Sequence, residues 1–167
     1  MKTTLSFLAA ILLPACLMTV WYLYGQFEIF KPDDPYIWVR TKGFLLACLA
    51  VSAAHVVLLG TPTYFFLRKL NKIRWWSTIA SGFVLGAIPM AVFIWPLQHT
   101  NLKTSTTVNG IQTMIDGIPT LAGWLQYAEG VGFLGGLGAV GGLAFWLSWR
   151  LGPQQGAPGD APKAARP

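Results

Sequence analysis

Charge is what this sequence has least of. Asp, Glu, Lys and Arg make up 11% of its 167 residues, where a soluble domain carries about 25%. So few charges cannot cover a water-soluble domain of this size. Acids are the scarcer sign, six against twelve Lys and Arg, for a net charge of +6. That excess does not point to nucleic acid, because the cations fall between apolar runs and form no basic stripe. Cysteine is nearly absent. Cys16 and Cys48 both lie inside apolar runs, where they report little about redox compartment. Also missing are a nucleotide-binding glycine loop, a serine nucleophile elbow, an HExxH pair and paired carboxylates. No enzyme and no cofactor are expected on these grounds.

What the chain has in quantity is apolar length. Hydrophobic residues make up 54% of it, with eight Trp, five Tyr and ten Phe, and its mean hydropathy is +0.52. Crossing about 30 Å of hydrocarbon takes roughly 20 helical residues. Residues 5–25, 43–67, 75–96 and 130–149 are each long enough. The expected fold class is therefore an all-α membrane protein. Four transmembrane helices form an antiparallel bundle within residues 1–151, and the lipid bilayer is the first partner. The remainder, "GPQQGAPGDAPKAARP", has no apolar period and is expected to be a disordered cytoplasmic tail, residues 152–167.

Cations set the expected direction. Arg68, Lys69, Lys72 and Arg74 crowd the short link between the second and third stretches, and Arg150, Lys163 and Arg166 follow the fourth. Lys103 is alone in the long loop 97–129, and loop 26–42 mixes both signs. Both termini then lie in the cytoplasm of a multi-pass inner-membrane protein, with loops 26–42 and 97–129 outside. Trp21, Tyr22, Tyr24, Trp38, Trp95, Trp124 and Tyr127 would mark the outer interface; Tyr64, Trp75, Trp76, Trp146 and Trp149 the inner. "LPAC" at 13–16 resembles a lipoprotein cleavage box, but the apolar run continues through Trp21. An uncleaved first span is expected, since a cleavable core is only about 7–15 residues long. The basic link could also hold anionic lipid at about 1 kcal/mol per cation, though setting orientation explains it more simply.

The outer loop 97–129 carries a small tandem repeat. "VNGIQTM" at 108–114 is followed at once by "IDGIPTL" at 115–121. Asn-Gly and Asp-Gly are hairpin signals, because both central residues of a type I′ turn need positive φ. Strands are expected at 104–108, 111–115 and 118–120. Pro119 would confine the last to an edge. So small a meander needs a floor or a further strand, and "FEIF" (27–30) and "YIWV" (36–39) offer both. The expectation is an outer β-cap built from both external loops. In a competing reading Asp34 caps the second helix and Pro35 opens it. Another makes residues 111–127 an interfacial helix, against which Gly110, Gly117, Pro119 and Gly123 count. The cap is either a plain lid or a docking surface, with Asn109, Gly110, Asp116 and Gly117 as candidate contacts. Glu129, at the mouth of the fourth stretch, is the one external acid without an evident structural role.

Small residues let helices approach closely in lipid. Counted from the cytoplasmic ends, Gly82 and Gly142 lie level, roughly 10 Å deep, and Gly86 and Gly138 roughly 16 Å deep. Contact between the third and fourth spans is expected along this seam. Surplus glycines such as Gly132 and Gly136 leave a homo-oligomer open. Pro14, Pro62 and Pro89 each remove a helix donor, and 60–63 is the expected break.

His55 is the one titratable group deep in a span, apart from the thiols. Cys48, Ser52 and His55 share a helix face at i, i+4 and i+7. A group at such depth is a functional candidate. The plainer expectation is a neutral imidazole bonded to a neighbouring helix, since no carboxylate lies within the spans. A metal site is not expected. Cys48 and His55 are roughly 10 Å apart along the helix, whereas metal bonds are about 2.0–2.3 Å long.

The leading functional expectation is a non-enzymatic interaction protein, an accessory subunit or immunity-type factor, that binds a protein partner through its external loops. The alternative is a small oligomeric transporter or channel using His55 and the glycine-rich fourth helix.

Overall fold

The computed structural model describes residues 2–99 and 104–151. The tail 152–167, expected to be disordered, and Lys103 lie outside them. In order, the elements are α1 (Lys2–Ile29), α2 (Tyr36–His55), a π-helical segment (Val56–Gly60), α3 (Thr61–Lys69) and α4 (Trp75–Phe93). A 3-10 turn (Pro96–His99) leads toward strands β1 (Thr106–Val108), β2 (Ile111–Ile115) and β3 (Ile118–Pro119), then α5 (Leu121–Leu151). The molecule is mostly helical with one small sheet. Four helical rods are long and apolar enough to cross a membrane: Thr3–Ile29, Tyr36–Lys69, Trp75–Phe93 and Leu121–Leu151.

Two rods begin well before the apolar stretches do. The second starts at Tyr36 rather than 43, and the last at Leu121 rather than 130. The first loop therefore supplies no strand: Phe27–Ile29 end α1, and Tyr36–Val39 open α2. The cap built from both loops is corrected to a sheet from the third loop alone. Local chemistry explains the change. Pro35 sits at φ −64°, ready for a helix. Asp34 Oδ1 accepts the Tyr36 N–H at 2.9 Å, and its other oxygen lies 3.9 Å from the Arg40 guanidinium. The interfacial helix over 111–127 is overturned as well, since strands occupy its first half.

Packing runs α2 on α1, α1 on α5, and α5 on α4. Ring contacts fix the directions. Phe7 meets Tyr64 at 5.6 Å and Tyr22 stacks on Phe44 at 4.2 Å, so α1 and the second rod are antiparallel. Phe7 meets Phe145 and Trp21 meets Phe133, so α1 and α5 are antiparallel too. The α4–α5 seam is a backbone contact. A Cβ on Gly82 would strike the Gly138 carbonyl, one on Gly86 that of Leu134, and one on Gly142 that of Thr78. Between α1 and α5, Pro14 leaves the Ala10 carbonyl without its helical partner. That oxygen faces Gly141, where a Cβ would sit 3.2 Å from it.

The fourth pairing, which would close the ring, is missing. The second rod reaches α4 mainly through the π segment. A tight link joins them at one end. Asn71 takes φ 52°, with Asn71 N–H on Arg68 O and Lys72 N–H on Leu67 O. That is a Schellman ending of α3. Ser77 Oγ then accepts the Arg74 N–H at 3.0 Å and starts α4.

Side chains are arranged inside out relative to a soluble protein. Val20 (66% exposed), Trp21 (70%), Leu58 (71%) and Phe93 (78%) point outward. Ser6, Thr41, Ser77 and Thr78 are buried beside Ala15, Ala87 and Ala144.

Candidate functional site

The first candidate site is the sheet. Its antiparallel order is β1-β2-β3, with Val108 opposite Ile111 and Ile115 opposite Ile118. Asn109 and Gly110 have φ 52° and 79°, Asp116 and Gly117 φ 50° and 81°. These are the positive angles a type I′ turn demands. The two turns lie at opposite ends of the sheet and are not brought together. Asn109 and Gly110 are exposed at a free tip. Gly117 is buried and donates to Thr104 O at 3.0 Å, while the Asp116 N–H reaches Ser105 Oγ at 3.3 Å. Glu129 lies in the third turn of α5, exposed and away from both turns.

One threonine fastens the sheet to the bundle. Thr120 Oγ1 accepts the Gly123 N–H at 3.3 Å, as an N-cap of α5 does. The same hydroxyl donates to Gln112 O at 2.7 Å, and the Thr120 N–H donates to Thr113 O at 3.0 Å. Gly123 lets the helix backbone close onto β2, because a Cβ there would strike Thr113 O. Below the sheet, Trp95, Trp124 and Tyr127 pack edge to face at 5.6–6.0 Å. Tyr127 Oη donates to Ala91 O at 3.0 Å, tying α5 to the end of α4. Ile111 (59% exposed), Ile115 (43%) and Ile118 (64%) are left uncovered on the sheet.

The second candidate site is a cleft of about 500 Å³ between the second rod and α4, where the ring is open. Cys48, Ser52 and His55 line it together. His55 Nδ1 bonds Val51 O at 3.0 Å within its own helix. The expected bond to a neighbouring helix is thus corrected: the cleft removes the neighbour. The seam glycines Gly82, Gly86, Gly138 and Gly142 form the cleft's floor. Most of its other hydroxyls are spoken for. Thr63 Oγ1 donates to Leu59 O, Thr78 Oγ1 to Trp75 O, and Ser81 Oγ to Thr78 O.

The π segment shapes this cleft. At about 100° per residue an unbroken α-helix would put Tyr64 roughly 160° from Cys48. A π segment absorbs one extra residue, and so turns Tyr64 back by about 100°. Tyr64 then lines the same cleft as Ser52 and His55. The expected break at 60–63 is therefore a bulge in a continuous rod, with Thr61 N–H bonded to Val56 O. Tyr64 is the residue that sequence reasoning missed, having been assigned to the inner aromatic belt. It is 6% exposed, ringed by Phe7, Phe65, Phe145 and Trp149 at 5.5–5.7 Å. Its hydroxyl has no hydrogen-bond partner among the described residues. The signal within reach was Pro62 two residues before it, since a lost donor invites a π bulge.

Among the described residues, no three His, Cys, Asp or Glu side chains gather as metal ligands. Comparison with protein-family models, curated proteins and solved structures gives no match.

Proposed function

We propose that this chain is a multi-pass protein of the inner membrane, a non-enzymatic interaction or accessory protein of the immunity-factor kind. It docks a protein partner through its outer sheet. Its four apolar rods and outward-facing large side chains support a lipid surround. Orientation follows from charge. Arg68, Lys69, Lys72 and Arg74 lie at the end where Tyr64 meets Trp149, and Arg150 follows directly. By the excess of cations that end is cytoplasmic, which puts both termini inside and the sheet outside.

The observation that carries the docking proposal is the isoleucine face. The sheet precedes Leu121, outward of the Trp95–Trp124–Tyr127 cluster that would mark the interface. Three exposed isoleucines on a fastened sheet in water form an apolar patch that a partner protein covers. Photo-crosslinking from position 118 in native membranes tests this. A protein adduct of one defined mass, lost in Ile111→Lys, supports the reading. Adducts with lipid alone, or an adduct indifferent to Ile111→Lys, contradict it.

The transporter alternative has less behind it. The cleft beside His55 has apolar walls and no carboxylate. The face open to a second copy is Gly132 and Gly136, where an added Cβ meets nothing within 4 Å.

A further inference from the structure

We infer that the cleft between the second rod and α4 is a binding site for an acyl chain of an anionic phospholipid, held with its head toward the 70–74 link. The inference rests on the membrane placement proposed above but not on the sheet's partner.

Three observations converge. The first is the space: about 500 Å³, walled by apolar side chains such as Met18, Phe44, Leu85, Leu134 and Phe145. That lies within the range of about 300–1,000 Å³ typical of ligand sites. It faces outward because the α2–α4 pairing is not made. The second is the Tyr64 hydroxyl. A phenol buried in an aromatic nest without an acceptor carries the full cost of its lost hydration. That oxygen is closed off from the cleft it borders, so an ester or phosphate oxygen in the cleft would accept from it once the ring turns slightly toward the α4 side. The third is charge. The cleft wall ends at Leu67 and Ile73, and Arg68, Lys69, Lys72 and Arg74 flank that end, all exposed and with no acid among them. An anionic head meets four cations there, while its chain runs from Tyr64 toward Phe44 and Leu134. A zwitterionic head would gain the chain contacts but not the charge. A transmembrane helix would cover the walls but leave both the hydroxyl and the cations unanswered.

The test titrates the full chain in detergent with palmitoyl-oleoyl phosphatidylglycerol or the matching phosphatidylcholine. Bound lipid is read by native mass spectrometry and stabilisation by thermal unfolding. One phosphatidylglycerol per chain is expected, about tenfold tighter than phosphatidylcholine. Tyr64→Phe should weaken it about tenfold. In lipid-free detergent the same variant should be at least as stable as the parent, because it removes an orphaned hydroxyl. Lys69→Gln with Lys72→Gln should narrow the preference between the lipids. No adduct, equal affinity for both lipids, or unchanged binding by Tyr64→Phe overturns the inference. So does a second copy found in the cleft by crosslinking from Ser81→Cys. A chain that needs detergent yet gives these results loses the lipid site and keeps its membrane placement. One that is soluble without detergent loses both.

Discussion

A methyl group on Gly138 would clash with the Gly82 carbonyl oxygen, and one on Gly82 with that of Gly138. The two backbones touch with no side chain between them. In the proposed lipid surround such contacts would replace the hydrophobic drive that lipid does not provide.

Gly138→Ala should therefore lower the thermal unfolding midpoint in detergent. Overpacking costs about 1–3 kcal/mol, and alanine's helix propensity returns up to about 1 kcal/mol. Gly136→Ala meets nothing within 4 Å and collects only the propensity gain, so it should be neutral or slightly stabilising. Equal midpoints for the two variants would mean the seam is not close-packed.

Thr120 joins sheet and helix through one hydroxyl that donates to Gln112 O and accepts from Gly123. Thr120→Ala should cost about 1–2 kcal/mol as a lost cap. Amide exchange should quicken in β2 and the first turn of α5, while protection around Gly138 stays as it was. Uniform exchange across both regions would contradict this division.

Tyr127→Phe removes the bond to Ala91 O while keeping the ring contacts with Trp95 and Trp124. A loss of about 1 kcal/mol is expected. A variant as stable as the parent would show that the aromatic packing alone holds the outer ends of α4 and α5.

His55→Ala separates the two functional readings. His55 bonds only its own helix, so the fold should survive the change. On the interaction reading, crosslinking from position 118 continues undiminished. Loss of flux in proteoliposomes with His55→Ala would favour the transporter instead.

Much of this architecture could be read from local chemistry. Asn109-Gly110 and Asp116-Gly117 announce turns because few other residues accept positive φ. The strands at 106–108, 111–115 and 118–119 fall within the expected ranges 104–108, 111–115 and 118–120. Depth counting from Trp75 and Trp149 finds the seam but not its register: it sets Gly82 level with Gly142, whereas the carbonyl that Gly82 meets is that of Gly138, and Gly142 meets that of Thr78. Short apolar runs were the weak point. Phe27–Phe30 and Tyr36–Val39 suit a strand or a helix end equally, and the Asp34 cap with Pro35 decides for helix in the second. The extra length of α5 was hidden because β3 ends at Pro119 and the very next residue, Thr120, already caps the helix. The cleft as a whole was out of reach, although Pro62 hints at the bulge beside it. It depends on a pairing that fails to form and on a bulge that turns Tyr64 through about 100°. Neither leaves a periodic trace in the residues themselves.

The central claim is that lipid surrounds four helical rods and that the sheet and the 70–74 link lie on opposite sides of it. Single cysteines at Gly110 and Lys72, with Cys16 and Cys48 replaced by alanine, test it in intact cells with a membrane-impermeant thiol reagent. The expected result is labelling of Gly110→Cys from outside, and of Lys72→Cys only after the membrane is opened. Labelling of Lys72→Cys in sealed cells, or equal labelling of both positions, would contradict the account.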